Sequence, residues 1–259
     1  MRFLFLLLFA LAANANPITA KSYLITDERG IVITEHMASR TQPVASITKL
    51  MTVITELNAQ QSLNEQLKLN WAVSKKYHTR LPREVKKLTR DDLIDLALVK
   101  SDNLAAYTLC ENYPGGVNNC VDQMNATAVR LGMTHTHFVD PTGLDEGNVS
   151  NAYDLARLVI EAADYPDIVD AGHKPEVKIE IKKHWWEFNN TNPLVKKTGR
   201  VVVSKTGYIH QSGGCVAMML DTEQGTRVIV VLGSKNTHTR IPEAEQLLVT
   251  ITASDVRVH

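Results

Sequence analysis

The sequence predicts an α+β fold, one antiparallel sheet of about five strands with helices packed against it. Three observations point there. The apolar pattern runs as two strands, a block of helices, three strands and a closing helix. No Ser/Gly/Pro-rich linker, internal repeat or low-complexity stretch divides the chain. The composition, 44% hydrophobic and 22% charged over 259 residues, belongs to a folded globular protein and excludes a disordered or fibrous one.

The elements follow in chain order. Behind Arg2, residues 3–13 form an apolar run too short for a bilayer, which needs about 20 residues. With the small-x-small triplet Ala13-Asn14-Ala15 it reads as a signal peptide over residues 1–15, cleaved after Ala15, ahead of a single domain over residues 16–259. Residues 22–26 and 31–35 are β-rich and flank Asp27-Glu28-Arg29-Gly30, a turn composition, so they read as a hairpin. After Pro43, the spacing of Ile47, Leu50, Met51, Ile54 and Leu57 predicts a helix that starts at Ser46 and buries one face. Thr89 and Asp92 make a capping box for a helix through Leu93, Leu96, Ala97 and Val99 to Ser101. Further helices are expected over 104–110, 121–131 and 153–163. Residues 201–209, 215–220 and 226–232 are apolar runs separated by Gln211-Ser212-Gly213-Gly214 and Asp221-Thr222-Glu223-Gln224-Gly225, an antiparallel meander. Helical spacing returns over 243–251.

Charge is balanced, with 28 Lys and Arg against 28 Asp and Glu, and loss of Arg2 with the signal leaves one net negative charge. Neither nucleic acid nor a membrane surface is an expected partner. Three cysteines are too few for a disulfide scaffold, so a hydrophobic core must hold the fold. Export permits one bridge, for which Cys110 and Cys120 are the candidates because they flank a turn-rich loop; Cys215 lies in an apolar run. Three inert buried thiols are the alternative, and the sequence leaves both open.

Ser46-Ile47-Thr48-Lys49 places a hydroxyl and an amine three residues apart at a helix start, where both share a face. A serine becomes a nucleophile only when a base takes its proton, and a lysine is such a base only if its pKa is lowered. Alone, the pattern is equally a capping serine beside a solvated lysine. Ser101-Asp102-Asn103 falls at a junction of two helices, and Lys205-Thr206-Gly207 interrupts an apolar strand; singly these read as an Asx turn and an edge-strand charge. In this order and context the three match the pattern of serine β-lactamases and penicillin-binding proteins, with serine as nucleophile. Lys197-Thr198-Gly199 repeats the third motif but precedes the strand, so Lys205-Thr206-Gly207 is preferred. His135-Thr136-His137 with Asp140 lacks the second ligand helix of a zinc site and reads as a surface loop, and Trp185-Trp186 reads as core or rim before it reads as a sugar platform.

With these motifs the mature chain resembles the low-molecular-mass penicillin-binding proteins, the serine D-Ala-D-Ala peptidases that trim peptidoglycan. Residues 40–52, Tyr113-Pro114-Gly115-Gly116, residues 138–144 and Asn148-Val149-Ser150 share the likeness. Residues 190–194 and Gly213-Gly214-Cys215 are similar to the D-alanyl-D-alanine endopeptidase subgroup. The resemblance implies a serine β-lactamase/transpeptidase-like fold and the following roles. Ser46 attacks the D-Ala carbonyl, Lys49 takes its proton, and Ser101 relays a proton to the leaving amine. Asn103 holds Lys49 and the substrate amide, and Lys205 and Thr206 polarise Ser101 and bind the leaving residue's carboxylate. Gly207 lets the substrate lie along the strand edge, and the backbone N–H groups of Ser46 and Tyr208 form the oxyanion hole.

The expected function is hydrolysis of D-Ala-to-diaminopimelate cross-links through an acyl-enzyme, with no cofactor, no metal, stem peptides as substrate and β-lactams as covalent inhibitors. A D-Ala-D-Ala carboxypeptidase is the near alternative. A β-lactamase is disfavoured because residues 138–152 carry the peptidase-like Asp140-Pro141-Thr142-Gly143-Leu144 and Asn148-Val149-Ser150. A non-catalytic sensor is disfavoured because every motif residue is kept. The short polar tail after Ile251 and the cleaved signal lead us to expect a periplasmic protein without a stable membrane anchor.

Overall fold

The computed structural model describes residues 17–255; the expected signal and its cleavage site, and residues 256–259 of the tail, lie outside the described residues. Strands β1 (Ser22–Asp27) and β2 (Val32–His36) pair as a hairpin. Its turn is held by Asp27 Oδ1, which accepts from the N–H groups of Arg29 and Ile31, and Gly30 takes φ +84°. Strand β3 (Gln42–Pro43) leads into a 3-10 turn, Ala45–Ile47, and then α1 (Thr48–Asn58), so Ser46 lies one turn ahead of the α-helix rather than within it.

Strands β4 (Gln66–Lys68) and β5 (Lys87–Thr89) pair with each other. Helix α2 (Arg90–Asp95) opens with the expected Thr89–Asp92 capping box and runs into a π-turn, Leu96–Lys100. Helices α3 (Asn103–Glu111) and α4 (Gly116–Arg130) follow, then β6 (Val149–Ser150), which pairs with β3, and α5 (Ala152–Ala162) and α6 (Pro166–His173). Strands β7 (Glu176–Ile181) and β8 (His184–Asn189) form a second hairpin that the sequence reading did not anticipate. The short helix α7 (Leu194–Thr198) precedes the meander β9 (Val201–Ile209), β10 (Gly213–Thr222) and β11 (Gly225–Ser234), and α8 (Arg240–Asp255) closes the described chain.

The main sheet has five strands in the order β2-β1-β11-β10-β9, with every neighbouring pair antiparallel. Both faces of its centre are buried. Val228, Val230 and Leu232 of β11 face the helical core with Leu50, Leu93 and Leu155, whereas Ile229 and Val231 face a second core with Ile241, Ala244 and Leu247 of α8. Period-two alternation onto two apolar environments explains why these strands read as unbroken apolar runs. Strand β9 is left as an edge beside the helical block.

Helix α1 is central. Every residue from Thr48 to Glu56 is buried, so the one-sided burial expected from its spacing gives way to burial all round, against α3, α4 and α5. Each fully buried Leu, Ile or Met there contributes roughly 1.5–3 kcal/mol. Several of the polar groups this brings inside find internal partners: Thr48 donates to Ala45 O, Thr52 to Pro141 O, and Glu56 Oε2 accepts from Arg90 Nη1, whereas Thr55 Oγ1 and Glu56 Oε1 have no hydrogen-bond partner among the described residues. Cys110 and Cys120 are joined in a disulfide between α3 and α4, with Cα atoms 5.4 Å apart, and Cys215 is a buried free thiol in β10. Glu56 converges on the same two cysteines, but their sulfurs are bonded to each other.

Candidate active site

Three segments meet at the edge strand: the turn before α1, the junction between the π-turn and α3, and the middle of β9. The first is fixed by interlocking backbone. Gly143 has φ +79°, and a Cβ there would lie 1.9 Å from Ala45 O and 2.8 Å from Ser46 N. A Cβ on Gly207 would lie 2.8 Å from Ser46 N and 3.0 Å from the Ala45 Cβ. Only glycine lets the 140s loop and β9 close on the Ser46 turn from both sides. Ala45 and Ser101 themselves have φ +49° and +61°, left-handed conformations that cost roughly 1–2 kcal/mol in non-glycine residues and gather at functional sites.

Lys49 is fully buried, and its Nζ lies 2.8 Å from Ser46 Oγ, 2.7 Å from Asn103 Oδ1 and 2.7 Å from Thr142 O. Burial pushes its pKa from 10.5 down to about 7, against the attraction of Asp140 and Asp102, which raises it. Protonated, the ammonium donates to all three oxygens. Neutral, it offers a lone pair to the Ser46 hydroxyl, the arrangement a general base needs.

Asp140 organises the loop that supplies Thr142 O. Its carboxylate accepts from the N–H groups of Thr142, Gly143 and Asp145 and from Asn148 Nδ2. The His135–His137 stretch is tied in by its backbone: His137 pairs with Val149, and the His135 N–H donates to Asp154. Asp102 plays the same part across the cleft, capping α3 through the Ala105 N–H and accepting from Thr79 Oγ1 and the Arg80 N–H. That leaves Asn103, the first residue of α3, to reach Lys49. The Ser101 hydroxyl makes no hydrogen bond among the described residues, and it lines the cavity next to this cluster.

On β9, Lys205 is buried and donates to Thr206 O at 2.9 Å. Burial lowers its pKa well below the ordinary value, and repulsion from Lys49 and Arg240 adds to this. Thr206 Oγ1 donates to Thr191 Oγ1, and Tyr208 is partly exposed on the same edge. Lys197 of the repeated motif sits instead on the surface in α7, paired with Glu245, and Gly199 is that helix's left-handed cap. Trp185 and Trp186 are exposed on β8.

Sequence reasoning missed Arg240 and Thr191. Arg240 Nη1 donates to Gly207 O at 2.7 Å from a largely buried position with no ion-pair partner among the described residues, adding a third cation beside Lys49 and Lys205. Arg240 belongs to no motif and arrives through tertiary packing, whereas Thr191 lies in the stretch 190–194 already noted for its resemblance but given no role there. The concentration of cations makes the cleft a site for anionic groups.

A sheet edge beside a half-buried serine and a buried lysine on an α+β frame defines the penicillin-binding and D,D-transpeptidase class of folds, and the comparisons agree. The structure superposes on penicillin-binding protein D2 from Listeria monocytogenes in its cefotaxime-bound form with a TM-score of 0.82 and 25% identity, over 91% of this chain and 98% of that one. It superposes on the Streptomyces K15 DD-transpeptidase with a TM-score of 0.84 and 21% identity, over 92% and 98%. Residues 10–236 match the peptidase S11 family, D-alanyl-D-alanine carboxypeptidase, and the chain belongs to that family. It is 36% identical to the D-alanyl-D-alanine endopeptidase of Pseudomonas aeruginosa over 87% of this chain and 75% of that protein. It is 33% identical to the D-alanyl-D-alanine endopeptidase of Escherichia coli over 92% and 79%.

Proposed function

We propose that this chain is a serine D,D-peptidase that hydrolyses D-Ala-to-diaminopimelate cross-links of peptidoglycan. The observation that carries the reading is the 2.8 Å contact between Ser46 Oγ and a buried Lys49 amine whose pKa sits near 7. The names of its relatives as endopeptidases favour a cross-link over a terminal D-Ala. Lys49 takes the Ser46 proton as Oγ bonds to the D-Ala carbonyl carbon, and the amide C–N bond breaks as the amine receives a proton by way of Ser101. Water then hydrolyses the acyl-enzyme with Lys49 again as base. The backbone N–H groups of Ser46 and Tyr208 stabilise the oxyanion, often worth about 3 kcal/mol per donor. The substrate backbone adds to the free edge of β9 beside Gly207, with its carboxylate at Lys205 and Thr206.

We further place the mature chain in the periplasm as a single domain from residue 16, after cleavage at Ala15. No helix among the described residues is long and apolar enough to cross a membrane. Mass spectrometry after penicillin treatment tests the nucleophile: an adduct on Ser46 that is lost in Ser46→Ala is expected, and its absence from the unaltered protein would remove the reading. Incubation with purified cross-linked muropeptides tests the substrate, where release of only free D-Ala from pentapeptides would make the enzyme a carboxypeptidase.

A further inference from the structure

Beside Ser101 the surface opens into a cavity of about 530 Å³ lined by His78, Thr79, Arg80, Lys100, Ser101 and Asp102. Its charge is one-sided. Arg80 and Lys100 have no ion-pair partner among the described residues, and the one acid in the lining, Asp102, is buried with both carboxylate oxygens already accepting hydrogen bonds.

The backbone that carries the two cations is held in place. Lys100 ends the π-turn immediately before Ser101, so its backbone is fixed by the motif itself. Arg80 is held through its own N–H, which donates to Asp102 Oδ2 at 3.1 Å, and through Thr79, whose hydroxyl donates to the same oxygen at 2.7 Å and accepts from the Leu81 N–H. The segment is pinned on both sides by burial of Tyr77 and Leu81, with the Tyr77 ring stacked on Tyr107 at 4.3 Å. One motif residue, Asp102, thereby caps the helix that presents Asn103 and positions Arg80 next to Ser101.

The chemistry of a cross-link supplies a match. A carboxypeptidase releases D-Ala, whose single carboxylate is accounted for at Lys205 and Thr206. A cross-link releases a whole stem peptide, which carries a carboxylate beside the scissile amide and at least one more on its glutamyl residue. Ser101 is the residue assigned to the leaving amine, so the stem peptide leaves on the Ser101 side. We propose that Arg80 and Lys100 form an anion subsite that takes a carboxylate of this departing stem peptide and so selects cross-linked substrate over terminal D-Ala. The proposal rests on the cross-link reading above, and its two residues are specificity determinants that take no part in bond making.

The test uses the mature protein with Arg80→Gln, Lys100→Gln and the double variant. Three reagents are compared: a cross-linked muropeptide dimer, the same dimer with only the glutamyl carboxylate of its acceptor strand amidated, and benzylpenicillin, which has no acceptor strand. The double variant is expected to raise KM for the free-acid dimer about tenfold with little change in kcat, and to weaken the dependence of kcat/KM on salt. The amidated dimer should be cleaved equally by both proteins, and penicillin acylation should be unchanged. Equal KM values for the free-acid dimer would overturn the subsite and leave the peptidase reading intact. Loss of penicillin acylation by the same factor would overturn it in favour of a structural role for the segment. Failure of the unaltered protein to cleave either dimer would overturn the cross-link reading and this subsite with it.

Discussion

If Lys49 is the base, acylation of Ser46 must follow the fraction of Lys49 that is neutral. An amine with a pKa of about 7 is about one-tenth neutral at pH 6 and about nine-tenths neutral at pH 8. The second-order rate of acylation should therefore rise about tenfold across that interval and then level off. A lysine at its ordinary 10.5 would give about a hundredfold rise over the same interval and no plateau. The sign follows from the cause: burial disfavours the ammonium, so the working form is gained as pH rises through 7. Asp102 and Asp140 act against burial and keep the value from falling further. The assay is the pseudo-first-order labelling of the protein by a fluorescent penicillin from pH 5.5 to 9. A rate that still climbs tenfold per pH unit above pH 8, or one that is flat from pH 6 to 8, would refute Lys49 as the base.

Other consequences are open to direct measurement. Gly143→Ala places a methyl 1.9 Å from Ala45 O, so penicillin acylation should fall more than a hundredfold while circular dichroism keeps the native spectrum. Lys205→Ala should abolish acylation and Lys197→Ala should leave it unchanged, with stability of the latter within about 0.5 kcal/mol in urea melts because its pair with Glu245 is exposed. Arg90→Met removes the partner of the buried Glu56, and a loss of about 3–5 kcal/mol is expected in denaturant unfolding. Burial raises the Glu56 pKa from 4.5 to about 7, so the folded state holds a proton that the unfolded chain releases, and this group's contribution declines as pH rises from about 4.5 through 7. Glu56→Gln should flatten that part of the stability profile; an unchanged slope would show that another group sets it.

Where local chemistry decides structure, the sequence is readable. Asp27 and Gly30 announce the first turn, Thr89 and Asp92 the start of α2, and the apolar runs of β9, β10 and β11 the meander. The β7–β8 hairpin escaped because its turn is Lys182-Lys183, two residues with φ +51° and +64° where Asn or Gly would be the usual sign. The alternating burial of Val177, Ile179 and Ile181 was the available signal. At the site, motif spacing marks Ser46, Lys49, Ser101, Asn103 and Lys205; Thr142 and Thr191 lie in stretches that carry the family resemblance but with nothing to show their contacts, and nothing local marks Arg240, so all three come within reach only when loop, strand and α8 pack. The positive φ of Ala45 and Ser101 is unreadable for the same reason, since both residues favour other conformations and are held by their surroundings.

The same argument explains why the site needs the whole fold. Three basic side chains, Lys49, Lys205 and Arg240, lie close enough that Lys49 and Arg240 each lower the pKa of Lys205, and no carboxylate forms an ion pair with any of them among the described residues. Such a cluster is unfavourable in isolation, because burial and mutual repulsion both oppose charge. It is held by the helical core on one side of the sheet and the α8 core on the other, while Asp140 and Asp102 bind backbone instead of neutralising the lysines directly. A carboxylate paired with Lys49 at hydrogen-bond distance would have favoured its ammonium and switched off the base. Placing the acids one residue layer away, where they fix Thr142 O and the start of α3, lets the cleft keep a neutral amine beside Ser46 and a positive field for an anionic substrate in the same small volume.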